Sequence, residues 1–344
     1  MTTLAVTDLV KDFPMRSGWR RSTLRAVDDV SFTLVPGRTV ALVGESGSGK
    51  STVARMIARL EKPTSGQIMA TAPDGRHVEN RHYRDHVQMV FQDPFASLNP
   101  FYTVEHHLAR PLRLHGRAKS RSEVDALVEQ LLERVDLAPA ASFADRRPHE
   151  LSGGQRQRVA IARALAPGAQ VLIADEPVSM LDVSIRLDVL NLLARLQRED
   201  NLAVLYITHD LATARHFSDD MLVMYRGRVV ERGSADEVIL NPKHPYTQLL
   251  ASAAPNPEKR GRLRLVVSGS IESAGAEVPR ADSGCNFRDR CALAMDACAA
   301  VPPDFAVGDD HHAGCWLYRD GASTPERTVV QGRPAGPTHE RHRR

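Results

Sequence analysis

The stretch GESGSGKST, residues 44–52, decides the fold of this chain. It fits the pattern G-x-x-x-x-G-K-[ST], in which glycines let the backbone wrap phosphate groups closely and point its N–H groups at the anion. A predicted strand, Val40–Val43, precedes it, and a predicted helix with an anion-attracting N-terminus follows. The sequence therefore predicts a phosphate loop made of Gly44, Glu45, Ser46, Gly47, Ser48, Gly49, Lys50, Ser51 and Thr52. Within it, Lys50 should contact the β- and γ-phosphates and Ser51 should bind Mg²⁺.

An acidic pair in VLIADEP, residues 171–177, provides a second candidate element. Asp175 ends an apolar run, where its carboxylate could hold Mg²⁺ through water. Glu176 comes next and could act as a general base toward an attacking water molecule. Such a pair is informative only because the chain also carries a phosphate loop.

The segment LSGGQRQRVAIARAL, residues 151–165, contains a second anion-binding pattern. A serine followed by two glycines at the start of a helix presents backbone N–H groups to an anion. Because one phosphate group cannot easily occupy both sites, we expect a head-to-tail dimer. In it, the Ser152–Gly154 site of each subunit would close on the nucleotide held by the other.

The hydrophobic pattern indicates an α/β fold. Three apolar runs do not alternate with polar residues, as expected of parallel strands covered on both faces. They lie in RTVALV, QVLIADEP and NLAVLYITHD, and the last two end in polar residues. Ligands bind at the carboxyl ends of such strands. A further pair of strands is predicted around Arg226-Gly227.

Six motifs, taken together, identify a family: GESGSGKST, MVFQDP, LSGGQ, VLIADEP, SMLD and ITHD occur in this order. With them, the chain resembles the ATP-binding subunits of ABC transporters over about residues 1–250. The resemblance implies that Gln92 senses Mg²⁺ and nucleotide and that His209 contacts the γ-phosphate. It also implies that Asp182 crosses the dimer interface and that Ser152, Gly153, Gly154 and Gln155 contact the partner's nucleotide.

Two further positions follow from the same resemblance. Phe13 resembles the aromatic residue that stacks on adenine, although a long basic insertion follows it and a buried core phenylalanine is the alternative. Met180 stands where the family usually has a smaller residue, but it removes no catalytic group. We therefore expect an active ATPase, with Glu176, His209, Gln92 and Lys50 as its catalytic residues.

The implied architecture is a P-loop NTPase with a mixed sheet, an inserted helical subdomain and a small C-terminal extension. We place the ATP-binding domain at residues 1–250, with the helical subdomain at about 92–165. The extension would cover 251–320, beginning with a linker in AAPNPEKRGR, and residues 321–344 would be disordered. The single phosphate loop predicts one nucleotide-binding unit.

The residues after the ATPase resemble one subgroup. NPKHPYTQLLASAAP, CNFRDRCALAMDAC and GCW are similar to the C-terminal extension of oligopeptide, dipeptide and nickel importer ATPases. The implied partners are two integral-membrane permeases, a second ATPase and an external solute-binding protein, with peptide as the leading cargo. A nickel or other small-solute importer is an alternative, as are a phosphonate-degrading assembly and a redox or iron sensor that uses ATP.

Composition excludes several classes. A net charge of +3 over 344 residues does not favour a nucleic-acid partner. The N-terminus is not typical of a signal peptide, and no run of 18 apolar residues occurs. With these observations, the resemblance to importer ATPases implies a peripheral protein at the cytoplasmic face of the cell membrane.

All four cysteines lie in the last fifth of the chain: Cys285, Cys291, Cys298 and Cys315. In a reducing compartment such a cluster is more typical of metal ligands than of disulfides. The resemblance implies a [4Fe–4S] cluster, and four thiolates are its usual complement. If the segment from Cys291 to Cys298 is helical, the two residues lie ~10 Å apart, which is too far for a disulfide and wide for zinc. Zinc remains an alternative, as do bare or oxidised thiols, and His311 or His312 could replace a cysteine.

Overall fold

The computed structural model describes residues 1–17, 20–253 and 284–320 of the chain. Its strands are β1 Thr3–Ser17, β2 Arg20–Leu34, β3 Thr39–Val43, β4 Ser65–Thr71, β5 Val87–Val90, β6 Val171–Asp175, β7 Ala203–Thr208, β8 Asp220–Tyr225, β9 Arg228–Ser234, β10 Phe305–Gly308 and β11 His311–Ala313. Its α-helices are α1 Lys50–Ile57, α2 Tyr83–His86, α3 Pro94–Ser97, α4 Val104–Leu114, α5 Arg121–Arg134, α6 Ala141–Ala144, α7 Gly153–Leu165, α8 Val183–Glu199, α9 Leu211–Phe217, α10 Ala235–Leu240 and α11 Pro245–Ala253.

A mixed sheet forms the centre of the fold, with its strands in the order β10-β11-β9-β8-β3-β7-β6-β5. The neighbours from β8 through β3, β7 and β6 to β5 run parallel, whereas β9, β11 and β10 add antiparallel pairs. Every residue of β3, β6 and β7 is buried. The prediction of parallel strands covered on both faces is therefore confirmed, as is the α/β fold class with a mixed sheet. The predicted pair of strands around Arg226-Gly227 is β8 and β9.

A smaller antiparallel sheet, in the order β2-β1-β4, lies against one face of the central sheet. Helix α1 packs between the two, and Val53, Met56 and Ile57 share one core with apolar residues of β1, β2, β3, β6 and β7. The other face of the central sheet shares a second core with α4, α5, α7 and α8. Strand β3, which leads into the phosphate loop, is thus covered by a hydrophobic core on each face of the sheet.

Helices α3 to α7 follow β5 and form a helical region. Its longest member, α5, begins with a capping box in which Ser120 and Glu123 satisfy each other's backbone N–H groups. Four apolar residues on one side of this helix are buried: Val124, Val128, Leu131 and Leu132. The proposed limits of the subdomain and of the other units stay predictions. The linker from residue 254 and the tail from residue 321 lie outside the described residues.

Residues 284–320 pack onto the ATPase through β11, which pairs with β9. A buried carboxylate next to this strand pair accepts several hydrogen bonds. Glu231 of β9 accepts from the backbone N–H groups of Lys243 and His244, both at 2.7 Å, and from His311 Nε2 at 2.8 Å. Burial lowers the pKa of His244 to about 3, so its ring is neutral. Across the described ranges, no helix is both long and apolar enough to cross a membrane.

Replacing Glu231 with alanine should lower the free energy of unfolding by about 3 kcal/mol or more, because three buried donors lose their acceptor. Urea denaturation of the full chain, followed by circular dichroism, measures the change. Glu129→Ala on the exposed face of α5 is the control and should alter stability by less than about 0.5 kcal/mol. Equal stability of the two variants would contradict the structural role of Glu231.

Candidate nucleotide-binding site

The phosphate loop runs from the buried strand β3 to the first turn of α1, which begins at Lys50. Three of its glycines have positive φ angles, 154° at Gly44, 77° at Gly47 and 106° at Gly49. A Cβ atom at Gly44 would lie 2.1 Å from the carbonyl oxygen of Met224, whereas one at Gly47 would meet nothing within 4 Å. Gly44 is therefore required by close approach to β8, while Gly47 and Ser46 form the exposed tip of the loop.

Lys50 is folded into the loop that precedes it. Its Nζ atom donates to the carbonyl oxygens of Gly44 at 2.8 Å and Glu45 at 2.9 Å. Burial lowers the pKa of Lys50, and the negative charges of Glu176, Asp175 and Glu45 oppose this effect. The loop is closed by backbone hydrogen bonds on both sides of Ser48, to Glu45 and to Gly227. The ammonium group thus lies in the turn where phosphate is expected.

Oxygen atoms suited to Mg²⁺ meet beside the loop. Ser51 Oγ donates to Asp175 Oδ1 at 3.1 Å, and Asp175 is the last residue of β6. Burial raises the pKa of the Asp175 carboxyl. Mg²⁺ prefers hard oxygen ligands and keeps several positions for water and phosphate oxygens, so this pair fits the ion. Thr52 follows Ser51 in the first turn of α1.

Glu176 lies at the centre of three side chains that the sequence places far apart. Gln92 Nε2 donates to Glu176 Oε2 at 2.8 Å. The Nδ1 atom of His209 lies 3.2 Å from Glu176 Oε1, where it can only donate. These residues follow β5, β6 and β7, which are neighbours in the sheet. The structure therefore brings Gln92, Glu176 and His209 together around one carboxylate.

The LSGGQ segment forms the start of α7. Ser152 and Gln155 make a capping box, with the Gln155 N–H donating to Ser152 Oγ at 3.2 Å and the Ser152 N–H to Gln155 Oε1 at 2.9 Å. A Cβ atom at Gly154 would lie 2.7 Å from Ile185, and one at Gly153 would lie 3.3 Å from Leu181. The segment that carries Asp182 therefore packs closely against this helix start.

Ser152 and Asp182 are both exposed, and Asp182 immediately precedes α8. Helix α7 packs against α3, α4, α5, α8 and β5, whereas α1 packs against β2 and β6. The two predicted anion sites of one chain thus lie in different packing environments.

Comparison with known proteins identifies the family. The family profile described as ABC transporter matches residues 27–179, and the profile described as oligopeptide/dipeptide transporter, C-terminal region, matches residues 230–298. The oligopeptide transport ATP-binding protein AppF of Bacillus subtilis is 46% identical over 92% of this chain and 98% of its own length. The chain belongs to the ATP-binding proteins of ABC transporters. The resemblance seen in the motifs is confirmed, and with it the ATPase activity and the use of ATP and Mg²⁺.

Other relatives of this ABC ATPase agree. The oligopeptide transport ATP-binding protein OppF of Escherichia coli is 43% identical over 91% of the chain and 95% of its own length. Among solved structures, the post-hydrolysis dimer of the ATP-binding cassette MJ0796 with ADP and Pi is 31% identical, with a TM-score of 0.58. The match covers 67% of this chain and 98% of the MJ0796 chain.

The site of this ABC ATPase includes residues that the motifs did not predict. Arg290 and Tyr246 both contact Glu45 of the phosphate loop. Tyr246 lies in the segment NPKHPYTQLLASAAP, but nothing in its local sequence links it to a loop 201 residues earlier. Phe13 is half-buried on β1, with Lys11 Nζ 4.8 Å from its ring centroid. It is therefore not a fully buried core residue.

The predicted iron–sulfur cluster is wrong, and so is the assignment of the four cysteines as metal ligands. Although all four cysteines are described, the described residues contain no group of three or more His, Cys, Asp or Glu that could hold a metal ion. The assumed helix between Cys291 and Cys298 is absent as well. Cys291 has extended backbone after a 3₁₀ turn at Arg288–Arg290, and Cys298 lies in a second turn at Asp296–Ala299.

The cysteines of this ABC ATPase pack as small apolar residues. Cys285 and Cys291 contact the core of the ATPase, and Cys315 belongs to a small cluster with Ala313 and Tyr318. Burial raises the pKa of Cys285 and Cys291, and that of Cys315 to about 12, so these thiols are neutral near pH 7. His311, a suggested substitute ligand, is hydrogen-bonded to Glu231.

Two alanine substitutions in the phosphate loop should differ strongly in their cost. Gly47→Ala should lower the free energy of unfolding by about 1–2 kcal/mol, the cost of a positive φ angle. Gly44→Ala should lower it by about 3 kcal/mol or more, because its Cβ also collides with the Met224 carbonyl. Chemical denaturation of both full-length variants measures this difference. Equal costs would show that contact with β8 does not constrain the loop.

Proposed function

We propose that this ABC ATPase powers the import of peptides through a membrane transporter. The supporting observation is the similarity to oligopeptide transport ATP-binding proteins, which spans more than 90% of the chain and includes the region after the ATPase. Membership of the ABC transporter family already shows that the chain is an ATP-hydrolysing transporter subunit. Peptide as the transported solute is the inference.

The transporter would contain two permeases, an external solute-binding protein and a second, similar ATPase. Its ATPases would lie peripherally at the cytoplasmic face of the membrane. The exposed positions of Ser152 and Asp182 support a head-to-tail pair, because both would be available to nucleotide bound by the partner. The similar MJ0796 cassette is described as dimeric. We infer that ATP is hydrolysed only in such a pair.

Each side chain near the phosphate loop has a proposed role. Lys50 would leave the carbonyls of Gly44 and Glu45 to share its charge with the β- and γ-phosphates. Ser51 and Asp175 would hold Mg²⁺, Asp175 through water, and Gln92 would add a ligand. When bound, Mg²⁺ neutralises charge on the phosphate oxygens. Phe13 would stack on adenine.

Glu176 would act as the general base. Its carboxylate already accepts two hydrogen bonds, from Gln92 and His209. If either donor turns toward nucleotide, a lone pair of Glu176 becomes available to take a proton from the attacking water. His209 is 61% exposed on its side chain, so it has room to turn toward a γ-phosphate. Nucleotide contact and the supply of a base would thereby be linked.

A groove beside Gln92 is the proposed docking site for a permease. Its volume is about 680 Å³, and its lining combines apolar and cationic side chains: Phe91, Tyr102, His106, Arg110, Leu114 and Arg163. Phe91, Tyr102 and Leu114 are at least 37% exposed. A cytoplasmic helix with apolar and acidic residues would fit this lining. Because Gln92 adjoins both the groove and Glu176, motion could pass between them.

Glu176→Gln should abolish peptide import while preserving ATP binding. In a host that lacks the subunit, the unaltered gene should restore uptake of a labelled tripeptide, whereas Glu176→Gln should not. Purified Glu176→Gln should bind ATP and hydrolyse it about 100-fold or more slowly, because the base is lost. Lys50→Ala should instead weaken ATP binding itself, by roughly tenfold or more.

Two results would overturn this reading separately. Normal turnover by Glu176→Gln would refute the general-base role. Unchanged tripeptide uptake in the host without the subunit, together with an active purified ATPase, would refute peptide as the cargo. Loss of nickel uptake in that host would then favour the alternative importer.

Cysteines introduced at Asn99 or Phe101 should cross-link to a permease in a co-expressed transporter. Phe101 is 81% exposed and lies on the segment that borders the groove, so a reagent can reach it. The unmodified chain, whose four native cysteines are buried or half-buried, gives the background signal. Leu60→Cys, which follows α1, is the control and should not capture a permease. Equal capture from position 60 would contradict docking at the groove.

A further inference from the structure

Glu45, the second residue of the phosphate loop, is held by residues from the far end of the chain. Its carboxylate accepts two hydrogen bonds from the Arg290 guanidinium, Nη1 to Oε2 at 3.0 Å and Nη2 to Oε1 at 3.1 Å. Its backbone N–H donates to the Tyr246 hydroxyl at 2.9 Å. Arg290 follows Glu45 by 245 residues and belongs to the segment 284–320. The C-terminal extension thus reaches the nucleotide site directly.

The packing around Arg290 fixes its position. The Tyr225 hydroxyl lies 3.3 Å from Arg290 Nη1. Phe287, one turn earlier, packs edge-on against the Tyr225 ring at 5.2 Å between centroids. Asn286 Nδ2 donates to the carbonyl oxygen of Arg226 at 3.2 Å. These contacts hold the 3₁₀ turn Arg288–Arg290 against the ATPase and aim the guanidinium at the phosphate loop.

The ion pair differs from an ordinary surface pair. The side chains of Arg290 and Glu45 are only 22% and 16% exposed, and the contact is bidentate. Bidentate arginine–carboxylate pairs hold a defined geometry, whereas exposed single contacts contribute little. The hydrogen bonds with Glu45 raise the pKa of Arg290 above its usual value. The guanidinium therefore stays charged, and the bidentate contact fixes its alignment with the Glu45 carboxylate.

Two links connect this pair to the nucleotide. The Glu45 carbonyl oxygen accepts from Lys50 Nζ, so the backbone at residue 45 helps to set the position of the lysine that should contact phosphate. The Glu45 carboxylate is also a negative charge within the loop that should bind a polyanion. Without a cation beside it, that charge would repel phosphate groups. Arg290 supplies the cation.

We propose that Arg290 is a positioning residue for ATP that acts through Glu45. It neutralises the carboxylate within the phosphate loop and fixes the backbone that carries Lys50, so the C-terminal extension sets the affinity for nucleotide. This inference rests on the proposed role of the phosphate loop.

The test is the affinity of the full-length chain for the non-hydrolysable analogue AMP-PNP with Mg²⁺. At low salt, Arg290→Ala should weaken binding roughly tenfold, the size expected for an uncompensated, half-buried charge. Arg290→Lys should weaken binding only about two- to threefold, because lysine keeps the positive charge but cannot make the bidentate contact. At about 0.5 M KCl, screening should reduce the Arg290→Ala defect to about threefold or less.

The double variant Glu45→Gln/Arg290→Ala distinguishes charge from packing. Because it removes both charges, it should bind AMP-PNP about threefold or more tightly than Arg290→Ala does at low salt. Arg288→Ala, an exposed arginine in the same 3₁₀ turn, should leave affinity unchanged. Thermal melting checks that each variant is folded. If Arg290→Ala is unfolded, the two- to threefold loss expected for Arg290→Lys is the test, and normal affinity of that variant would refute the proposal.

The outcomes separate this inference from the proposed role of the loop. Failure of the unaltered chain to bind AMP-PNP would refute both. Normal binding by Arg290→Ala would refute only the role of Arg290. A double variant as weak as Arg290→Ala at low salt would show that packing rather than charge is lost and would also overturn the proposal.

Discussion

The parallel pairing of β3, β7, β6 and β5 is the constraint on which the site depends. Because these strands run in one direction, their carboxyl ends meet at one end of the sheet, and four loops must share that space. Lys50, Asp175, Glu176, His209 and Gln92 all lie in or beside those loops. The loops after β3, β6 and β7 follow fully buried strands, so none of these three could be moved without changing the register of such a strand.

Much of this arrangement could be predicted from the sequence, because the signals are local. The spacing of glycines and lysine in the phosphate loop, and the acidic pair that ends β6, require only a few adjacent residues. The sequence could not predict that Gln92 and His209 would share one carboxylate, because that contact depends on strand order. The family resemblance supplied those two residues.

The C-terminal extension shows where such reasoning fails. The cysteine cluster and the family resemblance suggested metal ligands, and the argument against a disulfide or zinc assumed a helix from Cys291 to Cys298, where the structure has two separate 3₁₀ turns. Arg290 lies between two of those cysteines and had no sequence signal of its own. Its partner, Glu45, occupies a variable position of the loop pattern. Tertiary contacts bring the two together, among them the packing of Phe287 against Tyr225 and Tyr246.

The pairing of β11 with β9 has a consequence for the behaviour of the chain outside its complex. Without residues 284–320, β9 would present the unpaired backbone groups of a seven-residue strand at the edge of the sheet. Such an open edge is a template for pairing with another molecule. The extension replaces it with β10, a strand of only four residues. Besides contacting the phosphate loop, the extension thus blunts a surface through which separate copies could aggregate.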